Sequence, residues 1–377
     1  TTVRSSTFCV YEDIAVAWNK RLICTLMSAE PEKKPITIIT GFLGSGKTTV
    51  LNQLLQDKKF SDTAVIINEF GEIGIDHLLV ETSFEEDEIV VMQSGCICCT
   101  IRGDLVDTLA DLETRTGAGD LPFFNRVLVE TTGLADPAPI LQTIMSDPLL
   151  VGKYRLGGVV ATVDAVNGTN TLDQHQEAVK QAAVADRLFV TKTDIADPGQ
   201  TTELEARLGD LNPGAPLEKI IDGKVSPDNI FGLGLYDVRQ KTDDVRAWLA
   251  DIEVDTHSHH HAEDTQDDVN RHDSNIAAFC IVAEESLPWA GVRAWLESIG
   301  SLRGEDLLRV KGILNVTEFD TPVIIHGVQH VFHPPVRLDV WPDDDHTTRI
   351  VFITKNIPKA GLEKSLASFC QAAGKNS

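Results

Sequence analysis

The stretch Gly41–Thr48 (GFLGSGKT) matches the pattern G-x-x-x-x-G-K-[ST] between a β-branched run and an amphipathic stretch. In such a loop, backbone N–H groups and the start of the following helix bind phosphate. A lysine contacts the β- and γ-phosphates and a hydroxyl binds Mg²⁺. The pattern predicts a nucleoside-triphosphate site, with an unliganded Gly-rich turn as the alternative. The predicted nucleotide contacts are Gly41, Gly44, Ser45, Gly46, Lys47, Thr48 and Thr49, with Lys47 also catalytic and Thr48 the Mg²⁺ ligand.

The tetrapeptide Thr191–Asp194 (TKTD), at the end of another apolar run, indicates which base the nucleotide carries. An aspartate here can accept hydrogen bonds from N1–H and the 2-amino group of guanine. Adenine offers neither donor, so Asp194 is predicted to select GTP. Lys192 is expected to lie along the base with its aliphatic stem. GTPases usually have Asn where this chain has Thr191, which cannot supply an amide to the loop. The alternative is that Asp194 is an ordinary helix N-cap.

Glu130 ends the apolar run RVLVE and is followed three residues later by Gly133. Phosphate-loop proteins place an acidic residue at such a strand end to hold Mg²⁺ or its water. Glu130 is therefore predicted to be catalytic, acting through a water or positioning the attacking one. The N–H of Gly133 is expected to approach the γ-phosphate. A strand-end carboxylate satisfied by its neighbours is the alternative.

Cys96, Cys98 and Cys99 form a dense thiol cluster (GCICCT). The chain has seven cysteines, an odd number without the spacing of a disulfide framework. Thiolates favour Zn²⁺ or Cu⁺ over Mg²⁺. We therefore predict a metal site, with buried structural thiols or a redox pair as the alternatives. Gly95 and Thr100 on either side indicate a loop that leads into a helix.

The segment 68–76 (NEFGEIGID) follows a predicted strand and combines acidic and amide side chains with two glycines. It suits a switch loop ordered by the γ-phosphate, and a plain Gly-rich connection is the alternative. A closed structural zinc site has four protein ligands, so three thiols leave one position open. Water, a client ligand, or one of the carboxylates Glu69 and Glu72 could fill it.

Two groups of histidines are further candidates for metal binding. The run 257–261 (HSHHH) lies in a polar stretch, and an auxiliary metal-collecting role or a solvated loop fits it equally well. In HGVQHVFH, His326 and His330 could share one strand face, whereas His333 would not. We expect these three to be structural or client-facing.

Short β-branched runs alternate with helix-like stretches over almost two hundred residues, which is typical of a doubly wound α/β domain with a mostly parallel sheet. The predicted strands are 36–40, 63–68, 88–92, 126–130, 157–165 and 187–191. The predicted helices are 47–57, 100–115, 137–146, 173–185 and 200–209. Strand-like runs and two helix-like stretches after residue 275 predict a small α+β domain.

Composition shifts divide the chain into four parts. We expect a disordered N-terminal extension (1–34), a P-loop GTPase domain (35–254), a polar His-rich linker (255–275) and a C-terminal α+β domain (276–372). Residues 1–26 lack periodicity and precede Met27, a natural start, so we interpret them as sequence upstream of the native protein. A functional tail is the alternative.

Overall charge and hydropathy exclude several kinds of partner. With 57 acidic and 33 basic side chains, the net charge is −24, and such a surface repels nucleic-acid backbones. The sequence has no run of about eighteen apolar residues that would span a membrane. The cysteine pattern fits a reducing compartment, so we expect a cytoplasmic protein.

The ordered set GFLGSGKTT, NEFGEIGID, GCICC, ETTGLADP and TKTD resembles the CobW-type (CobW/HypB/UreG-class) metallochaperone GTPases. VDA (163–165) and RVKGILN (309–315) also look like this family, and the resemblance covers about residues 36 to 370. It implies GTP hydrolysis with Mg²⁺ in an N-terminal domain, a small C-terminal domain, and delivery of a transition metal, most often Zn²⁺, to a metalloprotein client.

Other functions remain open at this point. They are a phosphotransferase or ATPase with an incidental structural metal, a zinc buffer, a nickel-inserting GTPase, and insertion of cobalt or another metal during cofactor or metalloenzyme assembly.

Overall fold

The computed structural model describes residues 33–67, 90–91, 97–100, 105–231, 233 and 276–374. Within this part of the chain there are two β-sheets, both in one compact unit. The first contains β1 (Lys34–Gly41), β2 (Thr63–Ile67), β3 (Val90–Val91), β4 (Ile97–Thr100), β5 (Arg126–Glu130), β6 (Tyr154–Asp164), β7 (Arg187–Thr191) and β8 (Leu217–Ile220). Its helices are α1 (Lys47–Leu55), α2 (Leu105–Ala118), α3 (Ala138–Ser146), α4 (Gly168–Gln174), α5 (Gln176–Val184), α6 (Pro198–Leu211) and α7 (Asp228–Phe231).

The first sheet has the strand order β3-β4-β2-β5-β1-β6-β7-β8. Every neighbouring pair is parallel except β3 with β4. Its central strands are buried on both faces: Ile38 of β1 packs in a core with α2 and α3, whereas Ile39 packs in a core with α1. Helices on both faces of a mostly parallel sheet confirm the predicted doubly wound fold.

The sequence-based prediction was wrong at the edge of this sheet. Residues 88–92 were expected to form a parallel strand and the cysteine segment a loop entering a helix at residue 100. Instead Ile97–Thr100 is a strand parallel to β2, and Val90–Val91 runs antiparallel to it. The segment pairs with backbone groups that β2 would otherwise leave open at its edge. The following helix begins at Leu105.

A second correction concerns the predicted helix 173–185. The chain forms two helices, α4 and α5, separated at His175, which has extended backbone angles (φ −129°, ψ 109°). The His175 ring stacks on Phe42 of the phosphate loop, with ring centroids 4.4 Å apart. The interruption of the predicted helix at His175 thus coincides with a contact to the phosphate loop, which the local sequence pattern did not predict.

The second sheet is antiparallel, with the order β12-β11-β10-β14-β9 and β13 paired to β11. The strands are β9 (Ile276–Ala283), β10 (Leu307–Leu314), β11 (Val323–Val328), β12 (Val331–Phe332), β13 (Val336–Arg337) and β14 (Thr348–Lys355), with helices α8 (Trp289–Arg303) and α9 (Lys359–Gly374). The helices share a core with one face of the sheet, centred on Trp295 and Phe352. This is the α+β domain expected from the sequence.

The second sheet packs directly on the first domain through α5 and a buried charge cluster. Ala183 of α5 packs with Leu308 and Ile353 of the second sheet. Asp186, between α5 and β7, forms ion pairs with Arg309 and Lys311 of β10, and the Lys311 Nζ–Asp186 Oδ1 distance is 3.0 Å. The three side chains are 1%, 3% and 4% exposed.

The Asp186 carboxylate is held ionised by these neighbours. Burial alone would raise its pKa, but the charges of Arg309 and Lys311 and the hydrogen bonds that it accepts lower the pKa of this carboxyl below its ordinary value. One of those hydrogen bonds comes from the backbone N–H of Val159, 2.9 Å from Asp186 Oδ2.

Among the described residues, the structure contains no helix that combines the length and the apolar composition of a membrane span.

Candidate nucleotide and metal site

The phosphate loop connects β1 to α1 and takes its shape from glycines. Gly41, Gly44 and Gly46 have φ of 141°, 73° and 92°, a region that glycine adopts readily and other residues rarely. A Cβ on Gly41 would lie 2.3 Å from Thr162 Oγ1. Glycine at position 41 therefore lets the loop pack directly against Thr162 of β6, and α1 begins immediately after the loop.

Lys47, Thr48 and Glu130 meet below this loop. Lys47 is buried, and its Nζ donates to the carbonyls of Gly41 and Phe42 at 2.9 and 3.2 Å. Thr48 Oγ1 donates to Glu130 Oε1 at 3.3 Å, and Glu130 is 5% exposed. The three side chains line a pocket of about 260 Å³, together with Leu43, Gly44, Gly46, Thr49, Thr131, Gly133 and Lys192.

The oxygens of Thr48 and Glu130 fit Mg²⁺, which prefers one or two protein oxygens together with phosphate oxygens. Their hydrogen bond brings a hydroxyl and a carboxylate together in the lining of the pocket. Glu130, buried at the end of β5, therefore lies beside Thr48, the residue that the phosphate-loop pattern predicts to bind Mg²⁺.

The loop after Glu130 lies against the phosphate loop. A Cβ on Gly133 would be 2.7 Å from Leu43 N and 2.8 Å from Leu43 Cα, so only glycine allows this approach. Gln181 of α5, 1% exposed, donates from Nε2 to the carbonyls of Gly133 and Ala135 at 3.2 and 3.0 Å.

Sequence reasoning missed Gln181. The available signal was a lone amide among the alanines and valines of the buried face of α5. Lys180, the residue before Gln181, places its Nζ 2.6 Å from Asp136 Oδ2. Helix α5 therefore contacts the loop that follows Glu130 through two side chains.

The TKTD segment lies at the carboxyl end of β7. Thr191 Oγ1 donates to the carbonyl of Ser45 at 2.7 Å, so a hydroxyl contacts the phosphate loop at the position where GTPases usually have an asparagine. Lys192 has a left-handed backbone (φ 59°), and its Nζ lies 2.7 Å from Asp164 Oδ2. Asp194 is exposed. The N-cap of α6 is Asp197, which accepts from the N–H groups of Gly199 and Gln200, so Asp194 is not the helix cap.

Asp164 also escaped the sequence-based site prediction, although it ends a β-branched run just as Glu130 does. It accepts from Val166 N at 2.8 Å and from Asn167 Nδ2 at 2.9 Å. Burial would raise its pKa, but the hydrogen bonds from Lys192, Asn167 and Val166 outweigh burial and lower the pKa of this carboxyl. It is thus an ionised partner for Lys192.

The cysteine segment contributes a strand to the same sheet. Cys98 pairs with Val65 and Cys99 with Ile66, and Thr100 pairs with Ile67, which in turn pairs with Glu130. Two strand spacings separate Thr100 from Glu130, about 10 Å. Cys99 is thus one register position, and Cys98 two, before the strand end at Glu130. The predicted positions Cys96, Glu69 and Glu72 lie outside the described residues, as do 1–32, 68–76 and 255–275.

The C-terminal histidines are arranged differently from the sequence-based prediction. The chain reverses at Gln329 (φ 51°), and His333 N donates to the carbonyl of His326 at 2.9 Å, so these two residues are cross-strand neighbours. His330 lies in the turn, with Nδ1 3.2 Å from the carbonyl of Gly300. The prediction failed because it treated a hairpin as one continuous strand.

Comparison with known proteins places the chain in a family. The family described as CobW/HypB/UreG, nucleotide-binding domain, matches residues 35–219, and the cobalamin synthesis protein cobW C-terminal domain matches residues 276–370. Zinc chaperone YjiA from Escherichia coli (strain K12) is 31% identical over 88% of this chain and 97% of its own length. The chain belongs to the CobW/HypB/UreG family.

Other relatives agree with this membership. Zinc-regulated GTPase metalloprotein activator 1 from Schizosaccharomyces pombe is 28% identical over 79% of this chain and 76% of its own length. The crystal structure of Zn(II)-bound YjiA GTPase from E. coli is similar with a TM-score of 0.68 and 27% identity, covering 90% of this chain and 99% of that one. CobW/HypB/UreG membership and this similarity confirm the fold class and the GTPase predicted from the sequence.

Proposed function

We propose that this CobW/HypB/UreG protein is a metallochaperone that binds zinc through Cys96, Cys98 and Cys99 and transfers it to a client metalloprotein under the control of bound GTP. The observation that carries the proposal is the strand order β4-β2-β5. In this order the cysteine strand β4 and the strand β5, which ends at Glu130, belong to one sheet and are separated only by β2. This arrangement supports a metal site close to the proposed hydrolytic carboxylate.

That single strand gives the nucleotide a route to the metal. The predicted switch, 68–76, begins immediately after Ile67, which pairs with Thr100 on one side and Glu130 on the other. Under the proposal, the switch therefore starts between the end of the cysteine strand, at Thr100, and Glu130, the carboxylate proposed to hold Mg²⁺. Ordering of the switch by a γ-phosphate would therefore act next to the thiols, and Glu69 or Glu72 could complete the zinc coordination.

Zinc as the cargo is supported by the relatives, which are named as zinc chaperones or as a zinc-regulated GTPase. A Zn(II)-bound structure also exists for a YjiA triple mutant in which one glutamate and two cysteines are replaced by alanine. That mutant is thus described as Zn(II)-bound although those three side chains have been replaced. For this reason zinc binding by itself does not test the motif, and the informative variant is Cys98→Ser, in which the dependence of zinc affinity on nucleotide is measured.

The residues around the pocket have distinct roles in hydrolysis under this proposal. Mg²⁺, when bound, would neutralise phosphate charge, and Thr48 and Glu130 would hold it. Lys47 would bind the β- and γ-phosphates, releasing the loop carbonyls that it contacts in the described structure. Glu130 would also orient the attacking water, and the Gly133 N–H would bind the γ-phosphate.

Base selection is assigned to Asp194, which is exposed and free of the capping role that Asp197 fills. We expect Asp194→Asn to weaken GTP binding by about 1 to 3 kcal/mol with little change for ATP, because Asn presents a donor to the donor edge of guanine. Asp197→Asn is the matched control, since an asparagine still caps a helix. Equal losses for GTP and ATP in Asp194→Asn would show that this residue only supports the loop.

The proposed domain organisation retains the sequence-based boundaries, with a GTPase domain at 35–254 and a C-terminal domain at 276–372. Clients are metalloproteins, and the protein acts in the cytoplasm. An ATPase with an incidental metal would instead bind ATP as tightly as GTP.

The coupling of metal and nucleotide is tested by measuring Zn²⁺ affinity with a non-hydrolysable GTP analogue and Mg²⁺, with GDP, and without nucleotide. We expect the analogue to raise zinc affinity by about 1 to 3 kcal/mol of coupling energy, and zinc to tighten the analogue by the same factor. Cys98→Ser should remove the coupling, whereas Cys280→Ser, a free thiol of β9, should keep it. Equal wild-type zinc affinity in all three states would refute nucleotide control.

A further inference from the structure

A second cavity, of about 210 Å³, lies between the phosphate loop and helices α4 and α5. Residues 42–45 of the loop, the end of β6 and both helices contribute to its wall. Among its described lining residues, Leu43, Gly44 and Lys192 also line the nucleotide pocket described above, whereas the others do not. The cavity is therefore adjacent to the proposed nucleotide pocket but has a wall of its own.

The wall of this cavity is more apolar than polar, and its charges are paired. Phe42, Val163 and Leu172 line it together with alanines of β6 and α5. Among the described lining residues, the charged side chains are Asp164 and Lys192, whose Oδ2 and Nζ atoms are 2.7 Å apart. An ionic ligand would lose its hydration and find each opposite charge already engaged. The wall therefore favours a neutral ligand.

The side chains around the cavity are held in place by contacts of their own. The Phe42 ring stacks on His175, and Asp164 Oδ2 accepts from Asn167 Nδ2 at 2.9 Å. Ligand sites are usually pre-formed in this way, which limits the entropy lost on binding. An apolar cavity of about 150 Å³ takes up benzene, so the volume of this cavity suits one ring with a substituent.

Gln181 adds a directional group to this wall. It is 1% exposed and lines the cavity. Its Nε2 donates to the carbonyls of Gly133 and Ala135, and because a carbonyl only accepts, these contacts fix which end of the amide is the nitrogen. Within the described part of the chain, the Oε1 of Gln181 accepts no hydrogen bond. A buried acceptor without a donor is costly, so a ligand that supplies an N–H or O–H group would be favoured.

We propose that this cavity is a second ligand site, which binds a small neutral ring compound that carries an N–H or O–H donor. The ring would lie among the apolar side chains, and the donor would pair with Gln181 Oε1. Because Nε2 of the same amide holds the loop after Glu130, one side chain would connect the ligand to the hydrolytic side of the nucleotide pocket. This site goes beyond GTP hydrolysis and metal transfer, and its ligand would bind with or without zinc.

The test titrates benzamide, a neutral ring compound with an N–H donor, into the full-length protein and follows binding by saturation-transfer-difference NMR. We expect saturable binding that persists when the nucleotide pocket is filled with a non-hydrolysable GTP analogue and Mg²⁺. Displacement of benzamide by the analogue would overturn the proposal, because the probe would then occupy the nucleotide pocket. Absence of saturable binding in the millimolar range would also overturn it.

A variant that fills the cavity locates the probe. Thr171 of α4 is half-buried and lines the cavity. Thr171→Phe should weaken benzamide binding about tenfold or more, because the new ring occupies the same space. Asn170→Phe is the matched control: it adds the same ring to the same helix at an exposed residue that is not part of the wall, and it should bind benzamide as the wild type does. Equal benzamide affinity in wild type and Thr171→Phe would overturn the proposal.

A second comparison tests the donor and decides the matter if Thr171→Phe does not fold. Methyl benzoate has nearly the shape of benzamide but no N–H group, and Gln181→Met removes the acceptor while keeping the length of the side chain. From wild type to Gln181→Met, the ratio of benzamide affinity to methyl benzoate affinity should fall about three- to tenfold, the size of one buried hydrogen bond. An unchanged ratio would overturn the pairing with Gln181 and with it the proposed ligand class.

Discussion

Replacement of Asp186 by asparagine should strongly destabilise the protein. The new amide oxygen can still accept from Val159 N, but Arg309 and Lys311 lose a carboxylate in a place where all three side chains are at most 4% exposed. Removing one partner of a buried ion pair costs about 3 to 5 kcal/mol, because the remaining charge stays desolvated. That is a fifth or more of the roughly 5 to 15 kcal/mol that stabilises a typical domain.

The measurement is urea unfolding at neutral pH, followed by tryptophan fluorescence. Glu297→Gln is the matched control: it breaks an ion pair with Arg293 on α8, where the side chains are 66% and 48% exposed, and should cost under about 1 kcal/mol. A second comparison, Asp186→Asn with Arg309→Met and Lys311→Met, should recover most of the loss, since apolar groups need no counter-charge.

The pH dependence provides an independent check. Folding lowers the pKa of Asp186. Its contribution to stability is therefore fully present above the pKa that an aspartate has in the unfolded chain, and it declines as the pH falls through the lower folded-state pKa. The stability difference between wild type and Asp186→Asn should therefore be constant around neutral pH and narrow in strong acid. A difference no larger than that of Glu297→Gln at neutral pH would refute the reasoning.

Two other outcomes follow from the described contacts. Gly133→Ala should lower GTP turnover at least tenfold, because the new Cβ would meet backbone atoms of Leu43 at 2.7 to 2.8 Å. The control is Gly209→Ala in α6, where a Cβ would meet nothing within 4 Å, and it should leave turnover unchanged. A normal rate for Gly133→Ala would contradict the close approach of the two loops. Burial raises the pKa of Cys280 to about 11, so peptide mapping should show its alkylation accelerating about tenfold per pH unit from pH 8 towards 11, because the thiolate is the nucleophile. Labelling at pH 8 as fast as in denaturant would contradict that pKa.

The features that could be predicted from the sequence are those encoded by neighbouring residues, namely the phosphate loop and the central strands of the first sheet. The phosphate loop is recognisable because its glycines, lysine and threonine occupy adjacent positions, and Ile36–Ile39 or Val127–Val129 indicate buried strands by their composition. The cysteine strand was missed because Ile97–Thr100 is short, and its pairing with β2 is a tertiary decision. The strand β8 (LEKI) has too few apolar residues to stand out.

The interdomain contacts could not be predicted for a different reason. Asp186 is an ordinary aspartate in a short connection, and its partner Arg309 lies 123 positions away. Nothing in the local sequence distinguishes a carboxylate that will be buried from one that remains in water. The role of the Thr191 hydroxyl is similarly invisible until Ser45, 146 positions earlier, is placed beside it.

The two-sided position of helix α5 has a consequence for genetics. Lys180 and Gln181 bind the loop that follows Glu130, and Ala183, two residues further on, packs against Leu308 and Ile353 of the second sheet. Within nine residues the helix thus serves two parts of the molecule. Substitutions in α5 will be pleiotropic, and a screen for nucleotide defects and a screen for a loosened C-terminal domain should return alleles from the same short stretch of the gene.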